Sequence, residues 1–189
     1  DFPKHSMIPS LFDNLSLQLP SLIIPKIFTY SISGYFFFAN RIVNLPVSLI
    51  SASIAQVYLQ KISENKNKGI ETFSIFINTI KKLFSIALPI TIIGCIISPY
   101  IFTLFFGKEW RISGEIAQYL FLIFLIRFCV SPMSASFIPA MELKKAAFWQ
   151  YLYFISSILL FIISFYLELE LKVFLLFYVV HEYVLYGIY

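Results

Sequence analysis

An all-α polytopic membrane protein is the fold class this sequence predicts, and three observations predict it. The first is composition. Of 189 residues, 59% are hydrophobic and 13% charged, against about 25% charged in soluble domains. The chain holds 22 Phe and 12 Tyr, and its mean hydropathy is +0.84. The second is a single stretch, residues 83–107, without any Asp, Glu, Lys, Arg or His. At about 1.5 Å of rise per residue it matches the ~30 Å hydrocarbon core of a bilayer, whereas a soluble core seldom buries so long an uncharged helix. The third is where the charge sits. The Lys and Arg behind the net charge of +4 gather in short segments between apolar runs, a pattern of membrane orientation rather than of nucleic-acid binding.

Taken in order, six spans are expected. Residues 7–28 carry Asp13, Lys26 and the prolines Pro9, Pro20 and Pro25. Ser10, Asn14, Gln18 and Ser21 nevertheless recur at helical spacing as one polar stripe, with Asp13 beside it. Such a stripe suits a wet cavity or the polar faces of neighbouring helices. A turn at 29–34 leads to the second span, 34–60, whose only charge is Arg41 and whose bend is expected at Pro46. There Ser48/Ala52 and Ser51/Ala55 are small pairs four apart, the spacing that lets membrane helices approach closely.

The segment KISENKNKGIE reads as a solvated, cytoplasmic loop over about 61–72. Ile70, Phe73, Ile77, Ile80 and Phe84 then repeat at helical spacing with Lys81 and Lys82 off that face. This is an amphipathic interfacial lead-in, 70–82, to the third span, 83–106. A helix over all of it would run about 55 Å, so part of it is expected in the interface or bent at Pro89. After a turn at 107–113 the fourth span, 114–141, has Arg127 near its middle, kinks expected at Pro132 and Pro139, and serines at 131, 134 and 136. A basic turn at 141–145 precedes an uncharged fifth span, 146–167, and a polar turn at 168–172 precedes the sixth, 173–189.

If the spans alternate, Lys4, Lys61, Lys66, Lys68, Lys81, Lys82, Lys144 and Lys145 share one side, and Lys108, Arg111 and Lys172 the other. The richer side is the cytoplasm. Cys95 and Cys129 lie inside apolar runs and suggest neither a disulfide framework nor a metal site. The chain opens at Asp1 and closes at Tyr189 inside an apolar run, so a longer protein is expected, with these residues as one part.

Enzyme signatures are not found. His5 and His181 are far apart, Asp1 and Asp13 are the only aspartates, and there is no phosphate loop or nucleophile elbow. No catalytic residue, cofactor or metal is implied. What stands out is charge within the spans, which costs about 2.5–3.5 kcal/mol at a helix centre and therefore usually faces a partner or a water-filled path. Arg127, with Ser131 and Ser134 on its face, suits a phosphate or sugar carboxylate; a structural pair with an acid on another helix is the plainer reading. Arg41 and Lys26 are further substrate candidates that could instead snorkel to the headgroups. Asp13, His181 and Glu182 are candidates for ion coupling. Trp110, Trp149 and the tyrosines read as interface anchors or helix packing.

The run FPKHSMIPSLFDNLSLQLPSLII, then SGYFFFANRIVNLPVSLISASIAQVYLQKISE, FFGKEWRISGEIAQYL and SPMSA, resembles the carboxy-terminal half of polysaccharide (O-antigen type) flippases. These belong to the multidrug/oligosaccharidyl-lipid/polysaccharide exporter superfamily. The resemblance implies twelve helices in two six-helix lobes, of which this chain is one. It implies alternating access that carries a polyprenyl-pyrophosphate-linked oligosaccharide across the bacterial inner membrane for surface polysaccharide assembly. Arg41 falls where such flippases often carry Arg. The implied partners are that lipid-linked substrate, membrane lipid, an amino-terminal half of the same chain and the polysaccharide polymerase machinery, with no nucleic acid. Other readings are a multidrug extruder, which would want acidic spans, a membrane-embedded polymerase or glycosyltransferase, which would need catalytic acids, and a non-transporting scaffold.

Overall fold

Apolar sequence in lipid must satisfy every backbone group within its own segment, and only helices do so without a closed barrel. The structure, a computed structural model, describes residues 22–68, 72–136 and 143–188, with Leu15, Leu19 and Pro20 besides. Strands do not occur among the described residues. Among the described residues the chain forms five long helices: α1 (Tyr30–Asn67), α2 (Phe73–Phe106), α3 (Arg111–Val130), α4 (Leu143–Tyr166) and α5 (Leu171–Ile188). Among the described residues five stretches, Tyr30–Asn65, Phe73–Phe106, Lys108–Met133, Ala147–Tyr166 and Leu171–Ile188, are long and apolar enough to cross a membrane. The protein is an all-α, multi-pass membrane protein. Most of the expected first span, with Asp13 and the serine–asparagine stripe, lies outside the described residues.

Several boundaries differ from the sequence reading, each for a local reason. The turn before α1 is confined to Phe28 and Thr29, not 29–34. Thr29 caps the helix: its Oγ1 accepts from the Ile32 amide at 3.3 Å, and its carbonyl accepts from the Ser33 amide and hydroxyl. Gly34 therefore sits inside α1. The expected loop at 61–72 is helix as far as Asn67. Gln60, Lys61 and Glu64 are good helix formers, and Gln60 Nε2 donates to Glu64 Oε1 at 2.9 Å on the exposed face. Polarity there marks where the apolar run stops, not where the helix does.

From Phe73 onward the lead-in and the third span are one helix of 34 residues, about 51 Å long, with Pro89 and Pro99 both inside it. It ends at Gly107, whose φ of 101° and ψ of 168° are accessible essentially to glycine alone. A 3₁₀ turn, Lys108–Trp110, suffices before α3, so residues 111–113 are helical. At the other end α3 stops at Val130, and Ser131–Ser136 is 3₁₀. Pro132 has no amide hydrogen for the Phe128 carbonyl, so the α ladder cannot continue.

The chain divides into two units, residues 39–142 and residues 1–38 with 143–189. In the first, α2 and α3 form a tight hairpin. The buried face of α2 is Leu83, Ala87, Thr91, Gly94, Ser98 and Phe102, mostly small residues at helical spacing, against Gly114, Ala117, Leu120 and their neighbours on α3. Side chains bridge the backbones. Ser98 Oγ donates to the Gly114 carbonyl at 3.0 Å, Thr91 Oγ1 to that of Phe121 at 3.4 Å, and Cys95 Sγ to that of Gln118 at 3.3 Å. Gln118 Nε2 in turn donates to the Cys95 carbonyl, the acceptor that Pro99, lacking an amide hydrogen, leaves open four residues on. Of the small pairs noted on α1, Ala52 is exposed and Ser51 and Ala55 are half-buried; the close small-residue contact seen between described helices is this one.

In the second unit α4 and α5 are joined by a short turn. Glu168 has a φ of 46°. The Glu168 amide donates to Phe165 O at 3.3 Å and the Leu169 amide to Ser164 O at 3.2 Å, a Schellman closure with glutamate in the place glycine usually takes. Phe161, Phe174 and Tyr178 stack along the interior of this unit, and Phe28 sets its ring edge-on against Phe174 at 5.4 Å.

Candidate functional site

The buried stripe of α5 is Phe174, Leu175, Tyr178, Val179, Glu182 and Leu185. Helical periodicity thus places one carboxylate in a row that is otherwise apolar or aromatic, and Glu182 is 0% exposed. A carboxyl group so placed must be met by donors or the helix pair would not close. The facing helix supplies one: Tyr153 Oη, on a buried ring of α4, donates to Glu182 Oε1 at 2.7 Å. One turn earlier on α4, Trp149 stacks on Tyr153 with ring centroids 5.2 Å apart and donates its indole N–H to the Leu185 carbonyl at 3.0 Å. Tyr186 closes edge-on over Trp149 at 5.3 Å. His181 Nε2 lies 3.0 Å from Ser156 Oγ, and its ring is 5.9 Å from that of Tyr153.

The result is a polar core inside an apolar helix pair: a carboxyl, a phenol, an imidazole and a hydroxyl. The four groups come from two facing helices, Tyr153 and Ser156 from α4 and His181 and Glu182 from α5. The sequence reading singled out His181 and Glu182 but not Tyr153 and Ser156. Their signal was present as Trp149, Tyr153 and Ser156 at helical spacing, which hydropathy counts as an unremarkable apolar face. Trp149 serves helix packing.

The substrate candidates are placed differently. Lys26 is exposed in the helical turn 22–27, in the unit that also holds His181 and Glu182. Arg41 and Arg127 belong to the other unit. Arg41 is exposed on α1, beside an Asn pair in which Asn44 Nδ2 donates to Asn40 Oδ1 at 2.6 Å and to the Asn40 carbonyl at 2.9 Å. No ion pair of Arg41 with a described residue is seen, whereas Arg111 pairs with Glu115. Arg127 is half-buried in the last turn of α3, not at mid-helix, because α3 both starts and ends earlier than the expected span. A cation there is favoured by the helix dipole, and the Arg127 carbonyl accepts from the Ser131 amide. Ser131 opens the 3₁₀ turn that follows.

A family model described as polysaccharide biosynthesis protein matches residues 1–115, more than half of the chain. The protein belongs to the polysaccharide biosynthesis protein family. No curated protein and no solved structure matches it. The family match takes in Asp13, Lys26 and Arg41 and all of the α2 face of the hairpin, and it ends one residue after Gly114. Arg127 and the Tyr153–Glu182 network lie beyond it, so what is said of them rests on their own geometry.

Proposed function

We propose that this polysaccharide biosynthesis protein is a flippase. It translocates polyprenyl-pyrophosphate-linked oligosaccharide repeat units across the bacterial inner membrane by alternating access, as a transporter and not as an enzyme. The observation that carries the reading is the family match on a chain built of helices long and apolar enough to span a bilayer. A membrane-embedded member of a polysaccharide-building family has lipid-linked sugars as its natural cargo. The charge inventory supports the direction of recognition. Arg127, Arg41 and Lys26 are cations within or beside the spans, and a guanidinium meets phosphate or carboxylate oxygens as a fork. His181 and Glu182, and Asp13 with them, are assigned to ion coupling rather than to substrate. The cavity between two lobes requires an amino-terminal half, and the polymerase that consumes the repeat unit is the expected partner machinery.

The test is complementation. Expressed in full in strains lacking a defined flippase, the protein is expected to restore surface polysaccharide. Arg127→Ala is expected to reduce outer-leaflet exposure of the lipid-linked repeat unit at least tenfold, with Arg127→Lys intermediate. Normal exposure in both variants removes Arg127 from the substrate path. Failure to complement any flippase-null strain, together with drug resistance in an efflux-deficient strain, would favour multidrug extrusion.

A further inference from the structure

We propose that the α2–α3 turn carries a binding groove for an anionic phospholipid. The groove measures about 440 Å³ and is lined by Tyr100, Thr103 and Leu104 of α2 and by Gly107, Lys108 and Arg111 of the turn and of α3. It arises because Gly107 ends α2 abruptly and the 3₁₀ turn is short, which brings two cations three residues apart to the rim of an apolar wall. Thr103 Oγ1 donates to the Pro99 carbonyl at 2.7 Å, and the charged donors the groove offers a ligand are the ammonium of Lys108 and the guanidinium of Arg111. None of the lining residues is acidic. Glu115 meets Arg111 through Nε at 3.4 Å, with side chains 68% and 43% exposed. That is a screened pair worth little, and it leaves the two terminal guanidinium nitrogens to a ligand. Glu109, in the same turn, is not part of the lining.

Position selects the ligand. One candidate span ends at Phe106 and the next begins at Lys108, so the cations stand at the level of the lipid headgroups. Below them Tyr100, Leu104 and Phe105 are 74%, 79% and 73% exposed, a wall that acyl chains cover in a bilayer. A phosphate on the two cations and chains along Tyr100 and Leu104 satisfy both halves of the groove. A small hydrated anion would satisfy only the first. The site is independent of the transported cargo and stands or falls apart from the flippase reading.

Native mass spectrometry of the purified protein in detergent, supplied with phosphatidylglycerol or phosphatidylcholine, tests it. Phosphatidylglycerol is expected to be retained over phosphatidylcholine, and millimolar inorganic phosphate is expected not to displace it. Lys108→Gln and Arg111→Gln are each expected to lower that retention roughly fivefold, and the pair together more than tenfold, with unchanged thermal unfolding because both side chains are exposed. Lys61→Gln with Lys68→Gln, equally exposed elsewhere, should leave it unchanged, and Glu115→Gln should keep or raise it. Equal retention of the two lipids by the wild-type protein overturns the proposal, whatever the variants do. Undiminished phosphatidylglycerol on the double variant, a fall with Glu115→Gln, or displacement by inorganic phosphate overturns it as well.

Discussion

Glu182 shows what sequence alone leaves open about a charged residue within a span. Within α5 it occupies the buried stripe, and it is tolerated there because Tyr153 donates to it at 2.7 Å. Removing that donor leaves a buried acceptor short of a partner, which costs about 1–3 kcal/mol in water-soluble proteins and nearer 1 in membranes. Tyr153→Phe is therefore expected to destabilise the protein by about 1–2 kcal/mol in thermal or denaturant unfolding. A double-mutant cycle with Glu182→Gln should return a coupling of at least about 0.5 kcal/mol, and a coupling of zero would mean the bond does not contribute. Glu168 is the opposite case, a residue its surroundings would replace. Its φ of 46° is strained for an L side chain and free for glycine. Glu168→Gly is expected to stabilise the protein by about 0.5–1 kcal/mol, read as a higher unfolding midpoint; a fall would show that its side chain is engaged in the turn.

At the scale of elements, the α2–α3 hairpin is held by closeness rather than by greasy bulk. Lipid tails are as apolar as Leu, so membrane helices gain by packing backbones together and by hydrogen bonds across the seam. Gly114 is the closest point: a methyl group there would lie 2.5 Å from Pro99 Cα and 2.7 Å from the Ser98 carbonyl oxygen, both backbone atoms. Gly94 is more forgiving, since a methyl would meet only the Phe121 ring, at 2.5 Å, and a ring can turn aside. Gly114→Ala is thus expected to cost about 2–3 kcal/mol and Gly94→Ala less, measured as unfolding midpoints in the same detergent. The reverse order would mean the backbones are not in contact. The hairpin also shows why element boundaries escaped the sequence. Hydropathy reports where lipid ends, while helix ends are decided by Thr29, Gly107 and Pro132, residues that cap, release or block the hydrogen-bond ladder.

For the whole molecule, family membership and the run of apolar helices establish a membrane protein of a polysaccharide biosynthesis family, and complementation with the Arg127 pair tests whether it is the proposed sugar-lipid transporter. The cations and the acids do not form one site within either unit. Lys26 shares a unit with the His181–Glu182 core but stands exposed, and Arg41 and Arg127 occupy the other. Under the proposed function the cations are assigned to the anionic cargo and the buried acid to ion coupling, and the proposed lipid groove is a separate assignment.

By itself the sequence determined that the chain is helical and lives in a bilayer. That follows from composition and from the length of its uncharged runs, because the cost of unpaired backbone in lipid leaves no other choice. It also located the charges worth watching. Which of them are buried, and against what, only the tertiary structure decided. Burial of Glu182 depends on Tyr153 arriving from another helix 29 residues away, the Cys95 carbonyl depends on Gln118 23 residues on, and the groove at Lys108 and Arg111 depends on the conformation of Gly107. Periodicity along one helix says which residues share a face. It does not say what that face meets.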